Sequence, residues 1–361
     1  MTCFIAGWER LERITLRKHT LASCFSIIIP VRNEQENILK LLFSLKMQNY
    51  DQRAYRLIIV DDHSTDGTVQ RVKKFINKYP AMDIQLFVLP ENKYTKKAAL
   101  EYGIRQADGE AIIMMDADCE AGVDYLKTLN EYYRRKAPKL LLAPVRINSR
   151  NNVFAAFQAL EFSSLVFTAA GSSGINRAIM GNGANLLVDR SVFKKLQDQD
   201  VFLDKYASGD DMFLLEFVKK NFGKHSVAFA KHPQAVVTTQ PCENAAGFFI
   251  QRRRWVSKSK AYKNPLLITV ALIVFLVAVV QVPGLLSAFF IPRFLYVVAA
   301  VWAIKVIADS IILMRITRFL GQKQLRKYIF PLSFIYPFYV IYAAMSGWIF
   351  DFSWKGRKYK E

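Results

Sequence analysis

Cysteine and histidine are scarce in this chain, four of each in 361 residues. Cys3, Cys24, Cys119 and Cys242 show no paired pattern and no zinc spacing. That excludes a disulfide framework and suits reduced thiols in a cytosolic domain. The histidines are too few and too dispersed for an obvious metal cluster. Acid is also in deficit: 30 Asp and Glu stand against 50 Lys and Arg, a formal charge of +20. Such a surface suits nucleic acid, anionic lipid headgroups or phosphorylated substrates. No RNA- or DNA-binding signature accompanies it, so nucleic acid is not an expected partner. The first 20 residues lack an apolar core of signal-peptide length. Phe4, Ile5, Trp8, Leu11, Ile14 and Leu16 fit either an amphipathic helix in a membrane interface or a plain surface helix.

What the chain does have is apolar length near its C-terminus. Residues 265–290 form a nearly uncharged run, long enough to cross ~30 Å of hydrocarbon. Residues 294–314 are a second candidate and residues 328–350 a third, which Pro331 and Pro337 interrupt. The third is therefore either kinked or re-entrant. Lys305 and Asp309 lie four apart within the second run and can pair on one helix face. Basic residues collect beside these runs, at 251–263 and 315–327, which places both segments on the cytoplasmic side. The basic tail after Lys355 then conflicts with a third full span. Membrane lipids are expected partners, and the location a cytoplasmic membrane with several spans.

Before residue 264 the pattern changes. Apolar runs at 25–30, 56–60, 84–89 and 111–115 alternate with helical stretches at 34–47, 68–78, 96–106 and 123–135. That alternation predicts an α/β domain, a Rossmann-like, mostly parallel sheet with helices on both faces. Ligands bind such sheets at the carboxyl ends of their strands. Polar motifs stand there: Pro30-Val31-Arg32-Asn33-Glu34, Asp61-Asp62-His63-Ser64-Thr65-Asp66 and Asp116-Ala117-Asp118. Two carboxylates two apart at the mouth of a sheet can hold a divalent cation against a diphosphate. They can equally form a polar turn capping the next helix. Asn33 and Asp66 have the same capping alternative.

Taken in order, these motifs resemble a family 2 glycosyltransferase of the nucleotide-sugar-binding GT-A type. The set continues with Lys96 before a helix, Gly209-Asp210-Asp211 at the family's ED-like position, and Gln251-Arg252-Arg253-Arg254-Trp255 as a QxxRW box. The resemblance runs from Phe25 to Trp255. It implies a boundary plan: residues 1–24 as an N-terminal segment, 25–250 as the transferase domain, 251–264 as a basic juxtamembrane segment, 265–350 as a membrane domain of about three helices, and 351–361 as a basic tail.

The resemblance also implies roles. Pro30, Asn33 and Glu34 lie over the nucleotide base and ribose, and Asp62 contacts uracil or ribose. Lys96 neutralises phosphate, with Lys97 as its rival; Thr95 replaces the usual Gly before it. Asp118 binds Mg²⁺ or Mn²⁺, and Asp116 contacts ribose or a metal water. The small-residue stretch with Gly183 and Asn185 lies on the acceptor and donor-sugar side. Asp210 replaces the usual Glu, and Asp211 is the catalytic base. Gln251, Arg254 and Trp255 lie near acceptor and diphosphate, while Arg252 and Arg253 are read as a lipid-headgroup anchor. Trp354-Lys355-Gly356-Arg357 resembles a C-terminal element of some membrane-bound members. The expected function is inverting transfer from a nucleotide diphosphate sugar, UDP-linked, to a lipid-linked or membrane-proximal glycan acceptor. The alternatives are a processive polysaccharide synthase and a non-catalytic scaffold or nucleotide-sugar sensor.

Overall fold

The structure is a computed structural model that describes residues 2–17, 20–149, 152–197, 210–257, 262–288, 290–349, 352–354 and 357–359. The chain divides into two compact units, one of residues 2–146 and 168–240, the other of residues 147–167 and 241–361. The first unit begins with α1 (Thr2–Arg10) and then alternates as β1 (Phe25–Val31), α2 (Ile38–Lys46), β2 (Tyr55–Asp61), α3 (Thr68–Lys78), β3 (Ile84–Val88), α4 (Lys96–Gln106) and β4 (Ala111–Met115). Next come β5 (Glu120–Ala121), α5 (Tyr125–Lys136), β6 (Leu140–Leu142), β7 (Val145–Ile147) and α6 (Val153–Gly174). The helix α6 starts in the second unit and ends in the first. The first unit closes with β8 (Asn185–Asp189), α7 (Arg190–Gln197), α8 (Asp210–Phe222), β9 (Val227–Phe229) and β10 (Val237–Thr239).

Seven strands form one sheet in the order β3-β2-β1-β4-β8-β6-β9. β1 runs parallel to both β2 and β4, and β8 is antiparallel to its two neighbours. Every residue of β1 and β4 is buried, which explains why these strands read as unbroken apolar runs rather than alternating ones. Fully burying a side chain such as Ile27, Ile28 or Ile29 contributes about 2 kcal/mol. The helix α4 lies close on this sheet because Gly103 has no side chain: a Cβ there would stand 2.6 Å from Ile28 Cγ2.

Several boundaries differ from expectation, and two of the differences bear on the site. β1 continues through Pro30 to Val31, with Pro30 opposite Val60. Its ladder to β4 has already ended at Ile28 and Met114, so the missing N–H of proline falls where β1 is paired on one side only. The first long helix begins at Ile38, not at residue 34. Asn33 is left-handed (φ 51°), and the next residues form a turn in which Asn37 N and Ile38 N both donate to Glu34 O.

The N-terminal helix is packed into the first unit. Its Gly7 and Trp8 are buried within the first unit. A Cβ on Gly7 would lie 1.9 Å from Gly171 O, so only glycine permits this approach to α6. Lys231 Nζ donates to Trp8 O and Leu11 O and stands 4.5 Å over the Trp8 ring.

The second unit contains α9 (Ala245–Ser257), α10 (Pro265–Ala288), α11 (Arg293–Phe319), α12 (Ile329–Ser333) and α13 (Tyr336–Ile349). The helices α10 and α11 are long and apolar enough to cross a membrane, and only 11% of each apolar window is buried by protein. By length and composition α6 passes too, yet 72% of its window is buried: it is an interior helix that no sequence expectation covered. α11 extends past the expected residue 314 to Phe319. Arg315 and Arg318 thereby fall in its last turns, where cations complement the helix dipole. Arg326 Nη2 donates to Met314 O at 2.7 Å, and Gly321 (φ 71°) ends the run. The expected Lys305–Asp309 pair is formed, with Lys305 Nζ 5.0 Å over the Tyr336 ring. The third apolar segment is broken, with Lys323–Ser333 and Tyr336–Ser346 meeting at 78°. Pro337 causes no loss in the first turn of α13 but disfavours helix at the residue before it. A short hairpin pairs Trp354 with Arg357; Lys355 and Gly356 lie outside the described residues.

Candidate active site

The carboxyl ends of β1, β2 and β4 carry the polar motifs of the first unit. Asp61 pairs with Val31 in the last rung between β2 and β1, and Asp62 N donates to Val31 O at 2.8 Å. Both acids are buried, at 2% and 3% exposure. Arg32 holds the two loops together, donating from Nη1 to Asp62 O at 2.6 Å and His63 O at 3.2 Å. Asn33 acts as a staple: its backbone N–H donates to Ser64 Oγ at 2.9 Å and its Oδ1 accepts from Thr65 N at 2.8 Å. Its side chain caps no helix. The Glu34 N–H donates to Thr68 Oγ1 at 2.8 Å, and Glu34 Oε2 accepts from Asn37 Nδ2 at 3.0 Å. Asp66 does cap: Oδ1 accepts from Thr68 N at 3.0 Å, at the start of α3.

Asp61 was missed by motif reasoning. Its Oδ2 accepts from Ser64 N at 3.0 Å, while its buried Oδ1 has no hydrogen-bond partner among the described residues. A buried acceptor left in that state is costly unless something else meets it. The signal was the doubled acid itself, of which only the second was selected.

The helix α4 aims its N-terminus at the same edge. Thr95 caps it, accepting from Ala98 N at 3.3 Å, and the Thr95 N–H donates to Asp62 Oδ2 at 3.3 Å. Thr95 sits at φ 103°, a region glycine occupies freely and a β-branched residue does not. The position where the family pattern has Gly therefore keeps its backbone shape under strain. Replacing Thr95→Gly relieves that strain, loses little capping and adds some unfolded-chain entropy; the net expectation is a gain of about 0.5–1 kcal/mol. A lower thermal midpoint for the variant refutes it. Between the rival lysines, Lys96 Nζ forms an ion pair with Asp116 Oδ1 whereas Lys97 is buried at 6% exposure.

Asp116 and Asp118 follow β4 directly. Thr239 Oγ1 donates to Asp118 Oδ2 at 2.8 Å across 121 residues. The pairing of β10 with β5, Thr238 opposite Glu120, brings it there. Burial, then the neighbouring Asp116 charge, pushes the Asp118 carboxyl up to about 6. A carboxylate whose ionisation is opposed by burial and a neighbouring negative charge suits a divalent cation. Among the described residues no group of three or more metal-ligating side chains occurs. The Asp116 and Asp118 carboxylates are oxygen donors of the kind that Mg²⁺ or Mn²⁺ takes.

The last rung between β4 and β8 pairs Met115 with Asn185, so the Gly183-Ala184-Asn185 turn lies beside the Asp116 turn. Asp211, in the first turn of α8, joins it: Oδ2 accepts from Gly183 N at 3.1 Å and Oδ1 from Met212 N at 2.9 Å. The putting together of 116, 118, 183 and 211 at one edge is tertiary. Asn185 departs from the acceptor-side expectation. It is fully buried, Oδ1 accepting from Tyr125 Oη at 2.7 Å and Nδ2 donating to Pro144 O and Ala235 O, so its side chain builds the core under the turn. Gly209 and the side chain of Asp210 lie outside the described residues.

In the second unit, α9 carries Gln251, Arg254 and Trp255, all half-buried. Arg252 is not a headgroup anchor. It is 2% exposed and forms a two-pronged ion pair with Glu161 of α6. The unused signal was that Glu161 is the one charged residue in the 22 of α6.

Residues 26–197 match the family model for glycosyl transferase family 2. The chain is 27% identical over 187 residues to glycosyltransferase AglE of Haloferax volcanii, covering 52% of this chain and 58% of the relative. It is 28% identical over 205 residues to the dolichyl N-acetyl-alpha-D-glucosaminyl phosphate 3-beta-D-2,3-diacetamido-2,3-dideoxy-beta-D-glucuronosyltransferase of Methanococcus voltae, covering 55% of this chain and 62% of the relative. The chain thus spans less than two thirds of the length of either relative. Mannosyltransferase PcManGT from Pyrobaculum calidifontis, solved with GDP-Man and Mn²⁺, superposes with a TM-score of 0.53 over 93% of each chain at 16% identity, a likeness of fold. Residues 26–197 thus form a segment matching glycosyl transferase family 2, on a GT-A-type α/β fold.

Proposed function

We propose that this protein is an inverting glycosyltransferase that moves a sugar from a nucleotide diphosphate, UDP-linked, to a lipid-linked or membrane-proximal glycan acceptor. The observation that carries the reading is the convergence of Asp62, Lys96, Asp116, Asp118 and Asp211 on one sheet edge. Asp62 is the acid for a uracil N–H or ribose hydroxyl. Lys96 supplies positive charge where the diphosphate lies. Asp118 and Asp116 would hold Mg²⁺ or Mn²⁺, and the bound ion would supply positive charge to offset that building on the leaving nucleoside diphosphate. Asp211 takes the proton of an acceptor hydroxyl as that oxygen bonds to the anomeric carbon and the bond from that carbon to the phosphate oxygen breaks. One base and no enzyme nucleophile give a single displacement, hence inversion.

Support for a lipid-linked acceptor comes from elsewhere in the chain. The helices α10 and α11 have membrane length, and basic residues flank them. The Methanococcus voltae relative is named for a dolichyl phosphate-linked substrate. We place the protein in a cytoplasmic membrane with the transferase domain on the cytoplasmic side, where nucleotide sugars are made.

The test is UDP release from a panel of UDP-sugars by membranes containing the protein, with total lipid extract, and Mg²⁺ or Mn²⁺ present or chelated. Metal-dependent release from one donor supports the reading and identifies the sugar. No release from any UDP-sugar in the panel overturns it. Equal transfer to a soluble, lipid-free acceptor in detergent removes the lipid-linked acceptor alone.

A further inference from the structure

The QxxRW pattern treats Arg252 as a spacer, yet Arg252 touches two matched residues of the box, Gln251 and Trp255. Its Nε donates to Glu161 Oε1 at 3.2 Å and its Nη2 to Glu161 Oε2 at 2.5 Å. Its Nη1 donates to Gln251 Oε1. Its guanidinium carbon lies over the Trp255 ring, 4.2 Å from the centroid, and over that of Phe248 at 4.4 Å. Glu161 in turn accepts from Tyr339 Oη at 3.0 Å. All these residues belong to the second unit. Arg252 and Glu161 are 2% and 8% exposed.

A buried ion pair is weak evidence for stability, because desolvation offsets most of the attraction; its better-attested use is to specify one arrangement. Here the arrangement specified is that of two box side chains. Only a planar fork with five donors can bind a carboxylate with two prongs, reach Gln251 with a third and keep its carbon over aromatic rings at once. Lysine has the charge but neither the plane nor the spread. Tyr339 extends the fastening to α13, the helix after the 78° bend, so α9, α6 and α13 meet at the Glu161 carboxylate.

We infer that Arg252, held by Glu161 and Tyr339, is a positioning residue that sets Gln251 and Trp255 for the acceptor. This rests on the proposed reading of α9 as the acceptor-side element. Donor binding belongs to the other unit and is expected to be independent of it.

The experiment compares wild type, Arg252→Lys, Glu161→Gln and the double variant in nanodiscs. Three quantities are measured: UDP affinity with Mn²⁺, half-saturating donor and lipid-extract concentrations in turnover, and amide exchange over 245–257. UDP affinity and donor KM are expected to stay within about twofold. The half-saturating extract concentration rises, or kcat falls, by about tenfold or more in each single variant. The double variant is expected to be no worse than the worse single one, since each side chain acts through the other. Arg252→Lys is the safeguard if Glu161→Gln does not fold, since it keeps a cation beside the carboxylate. Unchanged acceptor kinetics in Arg252→Lys overturn the inference. So does a parallel fall in UDP affinity, which would mean general unfolding. If wild type turns over no donor, the proposed function fails by itself. The positioning role is then judged by exchange: faster over 245–257 with β1, β2 and β4 unchanged supports it, and no local change ends it.

Discussion

Asp211→Asn is expected to lower kcat by about 100- to 10,000-fold while leaving UDP affinity within about twofold. The Asn side chain keeps the shape, and its carbonyl oxygen still accepts from Gly183 N or Met212 N, as Asp211 does at 3.1 and 2.9 Å. What it loses is the ability to take a proton. An ionised carboxylate has about four lone-pair sites, and two are used by these backbone donors. Among the described residues no other donor takes the remainder, which leaves them for an acceptor hydroxyl. Because Gly183 stands next to the rung that pairs Met115 with Asn185, the base sits beside the Asp116 turn. Single-turnover measurement with saturating donor reads the chemical step directly. A variant with near wild-type rate removes Asp211 as the base. A variant that also loses UDP affinity points to a collapsed turn.

Asp118→Asn is expected to abolish the tightening of UDP binding by Mn²⁺ and to reduce turnover by at least about 100-fold. Its pH behaviour provides a second check. In the metal-free protein the Asp118 carboxyl is pushed up to about 6, first by burial and then by the charge of Asp116. A cation needs the ionised form. Mn²⁺ affinity in the presence of UDP should therefore fall toward tenfold per pH unit below about 6 and level off above it. The effect on folding has the opposite direction. The folded pKa lies above the ordinary carboxylate value near 4, so the folded state binds more protons between about pH 4 and 6. The metal-free chain thus loses stability as pH rises through that window, and Mn²⁺ with UDP restores it above the window. Calorimetric titrations at several pH values measure the first effect and thermal midpoints the second. Metal binding that is flat from pH 5 to 7, or persists in Asp118→Asn, places the cation elsewhere.

The strands at this site were legible because a parallel sheet buried on both faces leaves long apolar runs. Residues 111–115 read as a strand and form one, and the helices at 68–78 and 96–106 have the expected bounds. The start of α2 was not legible, since a polar stretch such as Asn33 to Asn37 serves a turn as well as a helix cap. Local pattern also misassigned Arg252. A basic run beside an apolar segment has the same composition whether it faces lipid or a buried acid, and here the acid is 91 residues away.

The sequence by itself determined the alternation of elements, the acids at three strand ends and the two long apolar helices, because each depends on residues near one another in the chain. Tertiary structure alone decided which of two lysines meets Asp116, that Thr239 closes on Asp118, that Asp211 lies beside Gly183, and that Asn185 and Arg252 turn inward. Those choices join residues 20 to 121 positions apart. They follow from strand register and helix packing, whose free energies are summed over the whole core and leave no mark on any short stretch of sequence.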